Sequence, residues 1–516
     1  MKTKSFLMAL ALSCATCSQA FADIKLEAED ASYTACTVDS DSKYSGGKAL
    51  RLTETNAKIT FEVNIEQKSK YALYAAGNGI GGEKVINVKV NGANGLFNLN
   101  DYTEVEVGTF LMQEGVNTIE ITPNWTWFDI DYIRIDAAQD EIPFDIAASP
   151  VDADATEAAI KMYSFLYDNF GKKTISGIMT GDMDSANGDV TQHEDVKAVY
   201  QASGKYPALV GFDFMNATGK DEDNSWFQDY QRKGMELAKD LYRRGGFPAF
   251  TWHWRDPSRE TGEFYTDSTT VSIAQAMNAD GSWNTESELY KYIIKDIDYI
   301  ADFFLEMQAE NMACIFRPLH EASGGWFWWG RDKKAEDCAK LYRLIHEEMV
   351  NVKGVHNVLW VWNPATVDDA AWNPGAEYYD VIAVDIYNND FDYSSNASHF
   401  DKLKKLSEGK KLIALSENGP IPDVDKTFDE EAVWSWWMPW YQTWGGNYVN
   451  KTSKEEWQKV MGDARIITLE DLQEWSGIEK LDSESVQHNL FDLNGNVLRN
   501  EPSQGLFIKD GKKVMK

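Results

Sequence analysis

Ala313-Cys314-Ile315-Phe316-Arg317-Pro318-Leu319-His320-Glu321 is the stretch on which the fold turns. Its apolar part is too short for a helix and runs through Arg317 and a proline into a histidine and a glutamate. A short run that is apolar on both faces is the pattern of a strand buried inside a parallel sheet, and the charge then marks its C-terminal end. Outward from it, similar runs recur at 174–179, 208–214, 247–252, 358–362, 381–386, 412–415 and 434–440, with amphipathic segments between them. Strand-like runs alternating with helix-like ones predict an α/β fold, a (β/α)8 TIM barrel over 157–480. The longest intervals read as loop insertions over its top face.

Upstream, 23–136 has a different period. The runs 57–63, 71–74 and 85–90 alternate apolar and polar residues, and the last runs into the turn pair Asn91-Gly92. That spacing predicts an all-β sandwich of jelly-roll type. Periodicity is lost over 137–156, which carries Pro143 and Pro150 and reads as a linker. At the start, Lys2 and Lys4 precede an apolar run at 6–12, and Ala20-Phe21-Ala22 follows at the spacing of a cleavage site, so 1–22 reads as a signal peptide. The expected location is secreted or periplasmic. Leu12-Ser13-Cys14 also loosely resembles a lipobox, and the alternative is a lipoprotein anchored through Cys14. No uncharged stretch of about 20 residues follows, so no transmembrane segment is expected. The tail, 487–516, suggests two short strands around glycine turns and no chemistry.

Composition narrows the partners. With 82 acidic and 50 basic residues the formal net charge is −32, which repels nucleic acid and anionic lipid and favours a neutral ligand. The 19 Trp, 23 Tyr and 24 Phe offer flat faces of the kind that stack on sugar rings, although packing in the core accounts for many of them. The cysteines are scattered and imply no disulfide framework. Cys314, within an apolar run, reads as a small buried hydrophobe. Zinc-ligand spacing, a phosphate-cradling glycine loop and a dinucleotide fingerprint are all missing, so no cofactor for catalysis is expected.

Two glutamates stand where barrel chemistry is done, at the C-terminal ends of strands: Glu321 after the fourth and Glu417, in Leu415-Ser416-Glu417-Asn418-Gly419, after the seventh. Cleaving a glycosidic bond needs such a pair, one to protonate the leaving oxygen and one across the sugar from it. Either glutamate alone could be an ordinary loop residue. Together with Gly325-Trp326-Phe327-Trp328-Trp329-Gly330, the segment 317–321 resembles the acid/base region of glycoside hydrolase family 26, and Ser416-Glu417 matches its nucleophile strand. The resemblance spans roughly 155–475. It implies a retaining endo-β-1,4-mannanase acting on β-mannan or a related plant polysaccharide, with Glu321 as acid/base and Glu417 as nucleophile. Relatives within the family point to β-glucanase or β-xylanase as rivals. A non-catalytic glycan-binding protein is a further rival, which the presence of both carboxylates argues against.

The same resemblance gives roles to neighbours. His320 becomes a substrate-positioning histidine, Tyr387 the tyrosine that bonds the nucleophile, and His253 in Trp252-His253-Trp254 a sugar contact. Arg317 would neutralise the paired carboxylates, with a structural ion pair as its alternative. Trp326 and Trp329 would supply stacking faces, with Trp362 and Trp440 further candidates. In the N-terminal segment, Leu26-Glu27-Ala28-Glu29-Asp30, Tyr44-Ser45-Gly46-Gly47 and the run 125–133 resemble carbohydrate-binding modules of families 6 and 35. That resemblance implies a structural calcium on Glu27, Glu29 and Asp131, against the alternative of a solvated acidic strand edge. Trp125 and Trp127 would then stack on sugar.

Overall fold

The computed structural model describes residues 23–124, 127–138, 142–364 and 370–472, and three short strands beyond them. The segment 1–22, with Cys14, and Trp125 lie outside the described residues.

The N-terminal unit is two antiparallel sheets packed face to face. One runs Cys36–Ser40, Lys48–Leu52, Phe128–Ala137, Ser69–Gly79, Thr103–Met112, with Ile24–Glu27 also on Phe128–Ala137. The other runs Ser32–Thr34, Lys58–Ile65, Gly115–Pro123, Lys84–Val90, Ala93–Leu99. Alternation sets the faces: Ile59, Phe61, Val63 and Ile65 point into the core while Glu62 and Asn64 face outward. Asn91 and Gly92 both have positive φ, 50° and 91°, and close a two-residue hairpin whose twist matches its strands.

Eight parallel strands form the barrel: β1 Thr174–Met179, β2 Leu209–Asp213, β3 Phe247–Thr251, β4 Cys314–Arg317, β5 Val358–Trp362, β6 Val381–Ile386, β7 Leu412–Asn418 and β8 Trp436–Pro439. Each pairs with the next, and β8 pairs with β1 to close the ring. All eight coincide with the apolar runs of the sequence, because a strand wrapped by helices and filled from inside is buried on both faces. A two-residue strand, Ile466–Ile467, adds beside the start of β1. Helices Glu194–Ser203, Ser225–Arg243, Glu288–Ala309, Ala335–Glu347, Ala397–Leu406, Val424–Asp429 and Lys454–Gly462 surround the ring. Glu157–Asn169 precedes it, capped by Thr156, whose side chain accepts from the Ala159 amide. None of the described helices is long and apolar enough to cross a membrane.

The sandwich rests on the barrel beside β6. Lys89 pairs with Asp392 at 2.9 Å, Asn94 donates to Asp392 at 3.0 Å, and the Ser398 hydroxyl donates to the Asn94 carbonyl at 3.1 Å. Between the units, 142–156 follows an irregular path tied down by the Asp145 amide on the Gly409 carbonyl. In the tail, Leu490–Phe491, Leu506–Lys509 and Lys512–Met515 make a three-stranded antiparallel sheet, one strand more than expected. Cys36, Cys314 and Cys338 are free thiols, Cys314 fully buried.

Candidate active site

Immediately after β4 the chain leaves ordinary backbone geometry. Leu319 and Glu321 both take left-handed φ, 52° and 54°, a conformation that costs side-chain-bearing residues on the order of 1–3 kcal/mol each and persists only where neighbours enforce it. The neighbours here are identifiable. The Glu321 amide donates to the Asn363 carbonyl at 3.1 Å, and the Trp329 indole N–H donates to the His320 carbonyl at 2.8 Å. The following loop folds back so tightly that a Cβ on Gly330 would sit 1.8 Å from the Ala322 carbonyl oxygen, so only glycine fits there. This turn directs His320 and Glu321 toward the barrel axis.

His320 meets His253, from the end of β3, with Nε2 to Nε2 at 3.2 Å. His253 Nδ1 lies 2.6 Å from Asp213 at the end of β2, and the Asp213 carboxylate also accepts the His253 amide at 3.1 Å. The Asp213 carboxylate faces His253 Nδ1, which fixes the plane of the imidazole and aims its Nε2 at His320. Burial, helped by Arg317 and His253, holds His320 well below the usual histidine range, so it stays neutral. The sequence reading missed Asp213; the signal was a lone acid closing an apolar strand.

Glu417 lies inside β7, where the register against β6 slips: Val384 pairs with Leu415, but Asp385 pairs with Glu417. The extra residue is Ser416. Such a bulge re-aims side chains, and here both Ser416 and Glu417 join one network. The Ser416 hydroxyl donates to Asp385 at 2.7 Å and accepts from Asn363 at 2.7 Å. Arg317 donates to Asp385 at 2.9 Å and to Glu417, and the Tyr387 hydroxyl donates to the other Glu417 oxygen at 2.6 Å. Glu321, Asp385 and Glu417 each bring an oxygen within 4.8 Å of the other two. Asp385 was not foreseen, although it lies two residues before Tyr387 on the same strand face.

Three carboxyl groups around one guanidinium cannot all ionise freely. Burial first, then the charges of Asp385 and Glu417, push Glu321 up to about 9. Burial and Asp385 also raise Glu417, but only to about 7, because Arg317 and the Tyr387 hydroxyl favour its charged form. The two titrate as a pair, and the proton resides on Glu321 first.

The aromatic expectations divide. Trp326 is exposed, and its indole N–H donates to Glu321 at 2.9 Å. Trp440 is half-buried with its ring 6.0 Å from that of His253. Trp329 and Trp362 are corrected: both are buried, Trp329 against Phe327 and Trp362 against Tyr379, so neither offers an open stacking face. Trp127 is exposed at the sandwich tip with φ 79°.

Residues 151–470 match glycosyl hydrolase family 26, and residues 24–138 match carbohydrate binding module family 35. The chain belongs to glycosyl hydrolase family 26. A mannan endo-1,4-beta-mannosidase of Thermothelomyces thermophilus is 33% identical over 469 residues, which are 87% of this chain and 90% of that protein. Mannan endo-1,4-beta-mannosidase B of Piromyces sp. is 33% identical over 433 residues, 80% of this chain and 69% of its own length. Among solved structures, the GH26-CBM35 beta-(1,4)-mannanase of Podospora anserina superposes with a TM-score of 0.58 at 29% identity, covering 88% of this chain and 99% of that one. A ruminal GH26 endo-beta-1,4-mannanase gives 0.61 at 27% identity, covering 88% and 98%. This family 26 barrel is therefore a glycoside hydrolase domain, and the sandwich before it a family 35 carbohydrate-binding module.

Within that module Glu27 Oε2, Glu29 Oε2 and Asp131 Oδ1 are buried and have no protein partner. Their other contacts are local: Ser45 donates to Glu27 at 2.8 Å, and Tyr102 to Asp131 at 2.5 Å.

Proposed function

We propose that the chain is a retaining, endo-acting β-1,4-mannanase, with Glu321 as acid/base and Glu417 as nucleophile. The convergence of these two carboxylates, with oxygens within 4.8 Å, is the observation that carries the reading. Retaining enzymes hold the pair about 5–5.5 Å apart, whereas inverting ones leave roughly 6.5–9.5 Å for a water. Substrate preference follows from the mannanases to which the chain is similar over most of its length.

The electrostatics support the division of labour. Glu321, protonated, gives its proton to the leaving oxygen while ionised Glu417 attacks the anomeric carbon and forms a glycosyl-enzyme. Esterifying Glu417 removes one of the negative charges that had raised Glu321. Glu321 then ionises more readily and serves as the base that activates water in the second step. Arg317 and Tyr387 hold Glu417 in place. The pair His253–His320, locked by Asp213, is positioned to orient the sugar hydroxyls.

The orphaned oxygens of Glu27, Glu29 and Asp131 have the hard-donor chemistry of a calcium site, and a calcium there would draw the three carboxylates together, since as placed they do not all lie within 4.8 Å of one another. It would add to the partial charge compensation from Lys25, whose ammonium lies 3.1 Å from the other Glu27 oxygen. The leader-like 1–22 supports export, with Cys14 as a lipidation point in the alternative anchored form.

Parallel product analysis on mannan, glucomannan, mixed-linkage glucan and xylan tests the substrate. Short manno-oligosaccharides of retained configuration are expected. Inverted initial products, or faster cleavage of xylan or glucan than of mannan, overturn the reading.

A further inference from the structure

We infer that the cleft between the sandwich and the barrel is a second carbohydrate site, taking a neutral hexopyranosyl unit of the polysaccharide being cleaved. The inference rests on the glycanase reading above and extends it to a surface that neither unit forms alone. The cleft measures about 420 Å³, within the usual range for small-molecule sites. One wall is the outer face of the five-stranded sheet, with Asn87, Asn98 and Asn124. The other is the barrel loop after β6, with Asn388 and Asn389. Asn388 is spent on Asn94 and Asn396, and Asn87 and Asn98 each donate once within the protein, which leaves their carbonyl oxygens and second N–H for the paired hydroxyls of a sugar. Charge is balanced, since Lys89 and Asp392 on opposite walls neutralise each other at 2.9 Å, which disfavours an ionic ligand.

A separate observation points to an occupant. His399 lines the cleft at 8% exposure, and its Nδ1 has no partner in the protein. A buried nitrogen left without a hydrogen bond is costly unless something outside the chain supplies one. Tyr387 lines the same cleft, and its hydroxyl bonds the Glu417 carboxylate. An occupant of the cleft therefore lies next to the residue that positions the nucleophile.

The unit bound could be a backbone mannosyl beyond the catalytic subsites or a galactosyl branch, and length-matched probes separate them. The full-length enzyme is compared with Asn98→Trp, which fills the cleft from an exposed position, and with His399→Phe, which removes the unsatisfied nitrogen. For each, kcat/KM is measured on linear mannotetraose, mannopentaose and mannohexaose and on a galactosylated mannopentaose. The long-to-short or branched-to-linear ratio is expected to fall about 3- to 10-fold in both variants, as loss of one or two hydrogen bonds implies. A fall confined to mannohexaose assigns the backbone; one confined to the branched probe assigns galactose. Ratios unchanged in Asn98→Trp overturn the inference even if His399→Phe fails to fold. A wild-type enzyme that turns over none of the probes overturns the mannanase reading itself, and this inference with it.

Discussion

Each unit of this chain holds three acids that bury oxygens, and the two sets handle the same electrostatic problem differently. At the barrel centre, Glu321, Asp385 and Glu417 surround Arg317, and each has a donor from the protein. In the sandwich, Glu27, Glu29 and Asp131 each keep one buried oxygen unsatisfied, and Lys25 reaches only the other oxygen of Glu27, at 3.1 Å. A cluster that contains its own cation can hand a proton back and forth, because its charge is fixed internally. Buried oxygens that no protein donor reaches suit a cation from solution, which is the calcium reading proposed above. The number of acids does not separate catalysis from metal binding; what else satisfies their oxygens does.

The contrast breaks most visibly at Glu417. Glu417→Ala should lower kcat on mannan by roughly 10⁴-fold or more while leaving the melting temperature and polymer binding nearly intact, since the lost interaction is made chiefly in the transition state. A 2-fluoro mannosyl probe should label Glu417 in the unmodified enzyme; a label on any other residue contradicts the assignment. Glu321→Ala should cost about 10²- to 10⁴-fold on polymer, but far less on an aryl mannoside whose leaving group needs no proton. Equal losses on both substrates would remove the acid/base role.

Arg317→Met tests whether the internal cation is what distinguishes the barrel cluster. It leaves Asp385 and Glu417 buried without their partner, and should cost about 3–5 kcal/mol of stability by denaturant titration. Arg317 lowers the Glu417 pKa, so its loss raises that pKa, and the ascending limb of the kcat/KM profile should move to higher pH. In the sandwich, added calcium should raise the melting temperature of the full chain, by roughly 3 kcal/mol of stabilisation at a hundredfold excess over its dissociation constant. Glu29→Gln should weaken that response, and a melting temperature indifferent to chelator would dismiss the site. The smallest effect is expected for Trp326→Phe. The indole N–H favours ionised Glu321, so its removal should shift the descending limb upward by less than about one pH unit.

How far all this was legible depended on burial. The barrel strands stand out because each carries an unbroken apolar run, as in 381–384 of Val381–Ile386 and 412–415 of Leu412–Asn418. Glu321 and Glu417 stand out because each sits in a motif, 317–321 with the aromatic run after it and Ser416-Glu417, that resembles the family pattern. Asp213 and Asp385 also end strands, yet a single acid at a strand end is common enough to pass unnoticed until its partners are known. The aromatic run 326–329 gave the wrong weight to Trp329 because it folds as tight turns rather than a strand, so no simple period tells which indole faces inward. Trp362 was misjudged for the opposite reason: a strand residue near the top of a barrel can still pack outward beneath a neighbouring tyrosine.

The slip at Ser416 makes this site a matter of counting as well as chemistry. Because β7 carries one residue more than β6 between Leu415 and Glu417, the position of the carboxylate depends on the length of the strand. Loss of a single codon there would rotate everything downstream by half a strand period, turning the glutamate away while the composition of the segment barely changed. Substitutions at Ser416 should therefore be graded by the hydrogen bonds they lose, whereas a one-residue deletion should behave as an all-or-none lesion. In a lineage under drift, this strand should tolerate point changes long before it tolerates a gap.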